Sequence, residues 1–552
     1  MTNHNVMGGS WGGSNAPSGL WYSFATPLIG KGVRWASRVT HHGGSALPGK
    51  IVETIDPTFL ARTLAQLPLG VVLVSGTNGK TTTTRMVASM LSDLGLKVFT
   101  NPTGSNFTRG VVSALLQTVP LTGRLDADIA VLELDEAYAV HFVRQVKPRY
   151  ALLLNVMRDQ LDRFGEIDNT ARLLGHVAQA TTGTVVLNRE DPRIARLAGL
   201  APVSTTVKYF GLSDDLKRFF PSDDDMATTV SVEGAAEGKD GKDDASASDK
   251  PKTAASDSGA EDGTDAAAKQ APAADLSDTL TLPPVNPEAL AIATLPADVT
   301  LTEVGDHAAT FRLSGEPGKP VRPGASDNTA IERHTKVRLE GVYNLFNAAA
   351  ALAVVRAVIR DANRVAGSAM LKSMTSPKFQ AFRARLQRFA DAKSDDLIAA
   401  VSRVTPAFGR GEVIDVNGSP TELLLVKNPM GFRLSLASFP PEGADTMIVI
   451  NDEYADGRDM SWLWDVDFTS LKETGVAQVS GVRAWDMALR LGYDQVKVEE
   501  VDPDIDAALA AFVKRNPGHS KHIYCTYTAM LKVRAALGRI ANVADAGVGT
   551  GK

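Results

Sequence analysis

A lysine, two glycines and a cluster of hydroxyl side chains stand together at the end of an apolar run, VVLVSGTNGKTTTTRM, residues 71 to 86. Glycine lets a backbone turn tightly and bring its N–H groups against an anion, so Gly76 and Gly79 with Thr77 and Asn78 between them suit phosphate oxygens. Lys80 supplies a cation that reaches terminal phosphates, and Thr81 or Thr82 supplies a hydroxyl ligand for Mg2+. The helix expected to start there adds its positive end. The common phosphate loop has four residues between its glycines. This one has two, and Val74 stands where a first glycine would be. The chemistry indicated is binding of ATP with Mg2+.

Further polar groups recur at the ends of apolar runs. They are Glu133 with Asp135 and Glu136 in VLELDEA, the acids of NVMRDQLDRFGE (155 to 166), and Asn188 with Asp191 in LNREDP. Asn344 and Asn347 in GVYNLFNAAAA, and Arg410 in PAFGRGE, complete the set. In this order, behind GTNGKTT, they resemble the Mur ligase superfamily, ATP-dependent enzymes that form amide bonds. The resemblance implies that Glu133 binds Mg2+ beside Thr81, that Asn188 and Asp191 lie on the adenine side, and that Asn344 and Asn347 close over the nucleotide. It also implies that Arg410 reaches ATP from a C-terminal domain. Two positions depart from the pattern: Gln160 replaces a metal-binding histidine and Tyr343 replaces the histidine before Asn344. Residues 160 to 180 contain no lysine, so the carbamylated lysine of many relatives is missing.

Within the superfamily, NPTGSNFTRG, RDQLDRFGEID, LLLVKNPMGF and INDEYADGRDMSWLWDVDF resemble the MurT family of synthetase subunits. That resemblance implies phosphorylation of the α-carboxylate of D-glutamate in the lipid II stem peptide. Ammonia then attacks the acyl phosphate to give D-isoglutamine. It implies a GatD-like glutamine amidotransferase partner, work at the inner face of the membrane, and an aspartate lent to the partner's Cys–His pair. Asp459 is the first candidate, then Asp456, with Asp465 third. The other reading of Asp456 and Asp459 is a capped turn paired with Arg458. Many relatives carry a four-cysteine zinc ribbon. Its cysteines are absent here, so no zinc site is expected.

The elements needed to position these groups are legible. GVVLVSG, KVFTN, DIAVLELDEA, YALLLNV and GTVVLN read as strands, with helices between them. That alternation indicates an α/β fold with a parallel sheet covered on both faces. A hairpin is expected from VTLTEV and ATFRLSG, then an amphipathic helix over 339 to 359. ELLLVKN, TMIVIND and HIYCTYT are the expected strands of a second α/β unit. The expected division is a flexible segment over 1–44, a Mur ligase-like central domain over 45–365 and a C-terminal α/β domain over 366–545. Leu20 to Val39 suggests an amphipathic helix, docked on the protein or touching an anionic membrane surface. Residues 221 to 275 lack aromatic side chains, and a disordered insertion is expected over 221–295.

A chain of 552 residues is too long for one core. A net charge of −5 speaks against a general nucleic-acid binder. No run approaches the ~20 apolar residues a membrane span needs, and the N-terminus lacks a secretory-signal pattern. The lone cysteine, Cys525, fits a reducing cytoplasm and a packed, inert thiol. A thiol glutaminase therefore has to be another chain. Two rivals remain: a ligase adding an amino acid, or glutamates to folate, and a nucleotide-gated scaffold without catalysis.

Overall fold

The computed structural model describes residues 25–39, 47–101, 106–157, 167–219, 280–283, 295–305, 308–317, 330–338, 342–368, 376–404, 410–453 and 456–541. Three helices come first: α1 (Thr26–Val39), α2 (Leu47–Ile55) and α3 (Phe59–Leu64). Then β1 (Val71–Ser75), α4 (Lys80–Asp93), β2 (Val98–Thr100), α5 (Thr108–Thr118), β3 (Ile129–Glu133), α6 (Glu136–Gln145) and β4 (Tyr150–Leu153) alternate. α7 (Ile167–Ala180), β5 (Thr184–Asn188), α8 (Pro192–Ala195) and β6 (Thr206–Leu212) continue the series. β7 (Val299–Gly305), β8 (Ala308–Leu313) and β9 (Ile331–Lys336) finish a nine-stranded sheet of order β2-β3-β1-β4-β5-β6-β7-β8-β9.

Pairing is parallel from β2 to β7 and antiparallel from β7 to β9. β1 lies between β3 and β4, so the chain's path reverses there, and the loop after β1 opens at a switch point. The strands are apolar on both faces because both are covered. Val72, Val74, Val131 and Leu152 point into one core, and Leu73, Ala130, Leu132 and Ala151 into the other.

Helix α9 (Val342–Ala366) follows. It is the helix expected over 339 to 359, and it is buried on more than one face. Residues 348 to 355 are all at most 1% exposed, because α9 is wrapped by α4, the sheet and α10 (Pro377–Ala390). Its alanines suit such close approach. α10 and α11 (Ser394–Arg403) bury Phe382, Leu386, Phe389, Leu397 and Val401 in the same core as α9. We therefore place the end of the first domain near 404, not at 365. Gly367 follows the end of α9, and the apolar faces beyond it decide the boundary.

The second sheet begins at β10 (Arg410–Val416) and includes β11 (Ser419–Leu425), β12 (Ala444–Val449), β13 (Val476–Ser480), β14 (Val498–Asp502) and β15 (Ser520–Cys525). Its order is β10-β11-β15-β12-β13-β14, parallel except for the β10–β11 hairpin. Helices α12 (Pro429–Ser438), α13 (Ala484–Tyr493), α14 (Ile505–Phe512) and α15 (Tyr527–Leu537) cover it.

Two expected loose segments are partly packed. α1 lies on α2 and α5, with Gly30 against Leu116 and the Thr26 hydroxyl donating to Asp56 at 2.6 Å. Within 221–295, Leu280 and Leu282 sit against Gly175, and Pro283 sits against Gly199. Their apolar side chains are covered there by the first domain. The rest of that insertion lies outside the described residues. Among the described residues no helix is long and apolar enough to cross a membrane.

Candidate active site

The loop after β1 is built by its glycines. Gly76 has φ +135° and a Cβ there would meet the Asn155 backbone at 3.0 Å. Gly79, at φ +84°, would place a Cβ 2.6 Å from Oδ1 of Asn347. A side chain at either position is strained by the positive φ and crowded by Asn155 or Asn347. The loop is held from behind by the strand-end segment after β4. Asn78 N–H donates to Oδ1 of Asn155 at 2.8 Å, Asn155 Nδ2 donates to the Asn78 carbonyl at 3.1 Å, and Met157 N–H donates to Thr77 Oγ1 at 3.1 Å. Asn155 Nδ2 also reaches the hydroxyl of Tyr343 at 2.8 Å. That ties the loop to the N-terminus of α9.

Lys80 is buried and faces acids. Its Nζ is 2.9 Å from Asp135 Oδ1 and 3.5 Å from Glu136 Oε2. Thr81 Oγ1 donates to Glu133 Oε1 at 2.7 Å. Asn101 fixes the Glu133 backbone, donating to its carbonyl and accepting from its N–H, each at 3.0 Å. Thr81 and Glu133 thus present two oxygen ligands side by side at the helix start. Mg2+ commonly takes one or two protein oxygens and completes its octahedron with water and phosphate, so this pair fits that ion. Among the described residues there is no group of three or more His, Cys, Asp or Glu that could hold a metal. Gln160 and its neighbouring acids lie outside the described residues.

A cleft opens over the loop. One wall is Asn78, Gly79, Tyr343, Asn344 and Asn347, and the other is Leu424, Lys427, Gly431, Ser435 and Phe439 of the second domain. Asn428, fully buried, bridges the walls: its Nδ2 donates to Asn78 Oδ1 at 3.0 Å while its Oδ1 caps α12 through Gly431 N–H at 2.8 Å. Arg410 opens β10 opposite Leu424 in the ladder, beside this cleft.

Asn188 and Asp191 do not line the cleft. Asn188 Nδ2 donates to the Leu154 carbonyl at 2.8 Å. Asp191 accepts from Val156 N–H at 2.7 Å and caps α8 through Arg193 and Ile194. Burial pushes its carboxyl up to about 6, against the pull of those N–H donors. Both residues brace the segment that in turn braces the phosphate loop.

The two leading aspartates of the second domain part ways. Asp456 is buried and accepts from Thr528 N–H at 2.7 Å, Thr528 Oγ1 at 2.5 Å and Glu453 N–H at 3.1 Å. Burial raises its carboxyl above the usual range despite these bonds. It locks its loop to the start of α15. Asp459 is exposed and accepts Ser461 N–H at 2.8 Å, and the Ser461 side chain first, with that N–H, holds it below its ordinary range. Cys525 is fully buried, and burial pushes its thiol far up. It is not a nucleophile.

Asn155, Asn428 and Asn101 had no assigned role in the sequence reading. Each sits directly after or within a strand-end motif, N-V-M, K-N-P and F-T-N, which was the available signal.

A two-domain α/β chain with a phosphate loop at the first sheet's switch point, facing a cleft to the second sheet, has the architecture of the Mur-type ligases. Residues 74–238 match the family model described as Mur ligase middle domain, and residues 425–530 match MurT ligase C-terminal. Among solved structures, MurF from Acinetobacter baumannii has the same fold, with a TM-score of 0.53 at 15% identity over 90% of this chain and 81% of that one.

The chain is similar over most of its length to proteins named MurT. It is 26% identical over 502 residues to the Streptococcus pneumoniae protein named lipid II isoglutaminyl synthase (glutamine-hydrolyzing) subunit MurT, covering 90% of this chain and 92% of the relative. The Staphylococcus aureus protein of the same name is 26% identical over 495 residues, 87% and 90% of the two chains.

Proposed function

We propose that this chain uses ATP to amidate the α-carboxylate of D-glutamate in the lipid II stem peptide, with ammonia supplied by a GatD-like glutaminase subunit. The observation that carries this is the pairing, on one chain, of the phosphate loop with a C-terminal domain of the MurT type. The names of its relatives support the substrate and the existence of a second subunit.

The carboxylate oxygen of D-glutamate attacks the γ-phosphorus and ADP leaves, giving an acyl phosphate. Ammonia adds to the activated carbonyl carbon, inorganic phosphate leaves and one proton is lost. Catalysis of the first step is positioning and charge neutralisation. The N–H groups of the 76–79 loop and the N-terminus of α4 hold the phosphates. Lys80, released from Asp135 and Glu136 toward the incoming anion, offsets developing charge. Thr81 and Glu133 would hold Mg2+, which when bound neutralises phosphate oxygens. Asn344, Asn347 and Arg410 complete the nucleotide site from the two sides of the cleft. Asn188 and Asp191 act behind it. Asp459, exposed and ionised, orients the partner's histidine, which in turn activates the partner's cysteine. A buried, doubly engaged Asp456 cannot reach another chain.

The test is incubation with lipid II, ATP, Mg2+ and ammonium, or with glutamine and the partner subunit, reading the mass change from carboxylate to carboxamide. Amidation with ammonium alone, and with glutamine only when the partner is present, is expected. No amidation, but ATP use with an added amino acid, would make the chain a conventional Mur-type ligase.

A further inference from the structure

Helix α1 is strongly amphipathic without being apolar overall, and its first turn holds no acid. Its inner side is Thr26, Pro27 and Gly30, all buried. The Thr26 hydroxyl reaches Asp56, and Gly30 lies against Leu116 of α5. The opposite side is open. Leu28 is 61% exposed, and a Cβ at Gly32 would meet nothing within 4 Å. Leu28, Gly32, Trp35 and Val39 succeed one another at steps of four, three and four residues, so helical spacing sets all four on one stripe. Exposed Leu121 adds to this surface from the loop whose Gly123 lies beside Pro27.

Charge flanks the stripe. Lys31, Arg34 and Arg38, at i, i+3 and i+7, form a second row along α1. Residues 1 to 52 contain these three cations and Lys50 but no aspartate or glutamate, in a chain whose net charge is −5. Acids around the foot of α1 are already engaged. Glu53 pairs with Arg109 at 3.0 Å, Asp56 with Arg62 at 2.6 Å, and Asp126 with Lys97 at 2.6 Å.

We propose that the outward stripe of α1, with its cationic flank, is the docking surface for an anionic membrane leaflet. The proposal rests on the function proposed above, whose substrate is carried by a lipid. A helix with one apolar stripe, cations beside it and low overall hydrophobicity lies in the bilayer interface, its apolar side toward the acyl chains and its cations on anionic headgroups. Tryptophan favours the same level. An acid-free segment matches a surface of one sign better than a protein face of mixed charge. α5, on which α1 lies, begins two residues after Asn106, whose carbonyl accepts the Asp135 N–H at 3.0 Å. Docking through α1 therefore seats the domain that carries the phosphate loop at the leaflet that holds the substrate.

Flotation of the full chain with vesicles of phosphatidylcholine, alone or mixed with phosphatidylglycerol, tests it. Binding to the mixed vesicles only, weakening as salt is raised, is expected. Leu28→Asp removes the apolar contact, and Lys31→Glu, Arg34→Glu and Arg38→Glu together reverse the flank. Each should weaken vesicle binding roughly tenfold or more. Ammonium-driven amidation should fall in parallel when lipid II is presented in mixed vesicles, and should stay within about twofold of the unsubstituted chain in neutral detergent micelles. Flotation that ignores phosphatidylglycerol and salt overturns the assignment, and this arm needs no variant. Unchanged flotation of the variants overturns it too. So does a self-association, or a binding of the glutaminase subunit, that the variants lose while flotation persists. If lipid II is amidated in neither vesicles nor micelles, the proposed reaction fails, and flotation still reads the surface.

Discussion

The side-chain amides of Asn78 and Asn428 meet across the two domains, Nδ2 of Asn428 lying 3.0 Å from Oδ1 of Asn78. Asn78 belongs to the phosphate loop, and Asn428 caps α12 of the second domain. The contact couples the state of the loop to the seating of the domain that faces it.

Asn428→Ala should therefore weaken catalysis more than folding. It removes the bridge and leaves Asn78 with an unmet polar group, a cost of about 1–3 kcal/mol. Steady-state kinetics with ammonium should show kcat/KM for ATP down by roughly tenfold or more, as 1.4 kcal/mol is a factor of ten. An unchanged kcat/KM would show that the bridge is incidental to closure.

Lys80→Ala should abolish amidation with either nitrogen source, because the phosphoryl step precedes ammonia attack. Its ion pair with Asp135 and Glu136 adds a second effect. Glu136 is 3% exposed, and losing the cation leaves a buried charge uncompensated. The variant should melt at a lower temperature than the parent in calorimetry. Retained activity with ammonium would remove Lys80 from the mechanism.

Asp459→Asn should cripple the glutamine-driven reaction alone, and Asp456→Asn should impair both nitrogen sources. The first carboxylate is exposed and the second fastens its loop to Thr528. Parallel assays with glutamine and with ammonium separate the two. Equal losses for Asp459→Asn would count against a role in the partner's triad.

Stability at low pH should report on Asp298. Burial alone would raise its carboxyl, but Arg356, Lys208 and Arg360 hold it down from 3.8 to about 2. The depressed value means the folded state gains stability from the ionised form above pH ~4. That gain, about 2 kcal/mol at 1.36 kcal/mol per pKa unit, is lost as pH falls through ~2. Urea titrations from pH 5 to 2 should show this loss in the parent, and Asp298→Asn should flatten it. The variant should also be weaker by about 3–5 kcal/mol at pH 7, since Arg356, 1% exposed, loses its partner at 2.9 Å. An identical pH slope in both proteins would exclude Asp298 as its source.

Sequence by itself determined the phosphate loop, the hydroxyl and carboxylate pair Thr81 and Glu133, and the alternation of strands and helices. These are local: glycines impose the turn, and apolar runs covered on both faces need no alternation to be recognised. It also predicts that the proposed glutamine hydrolysis takes place on another chain, because one cysteine amid apolar neighbours supplies no thiolate. Tertiary structure decided the rest. Whether Asp456 or Asp459 is presented outward depends on Thr528, 72 residues away from the buried Asp456. Whether Asn188 and Asp191 line a cleft or brace a loop depends on where Leu154 and Val156 lie. The domain boundary moved past 365 because α10 and α11 carry apolar faces that α9, α4 and β9 of the first domain cover. Composition records that such a face exists, and only the fold says what it meets.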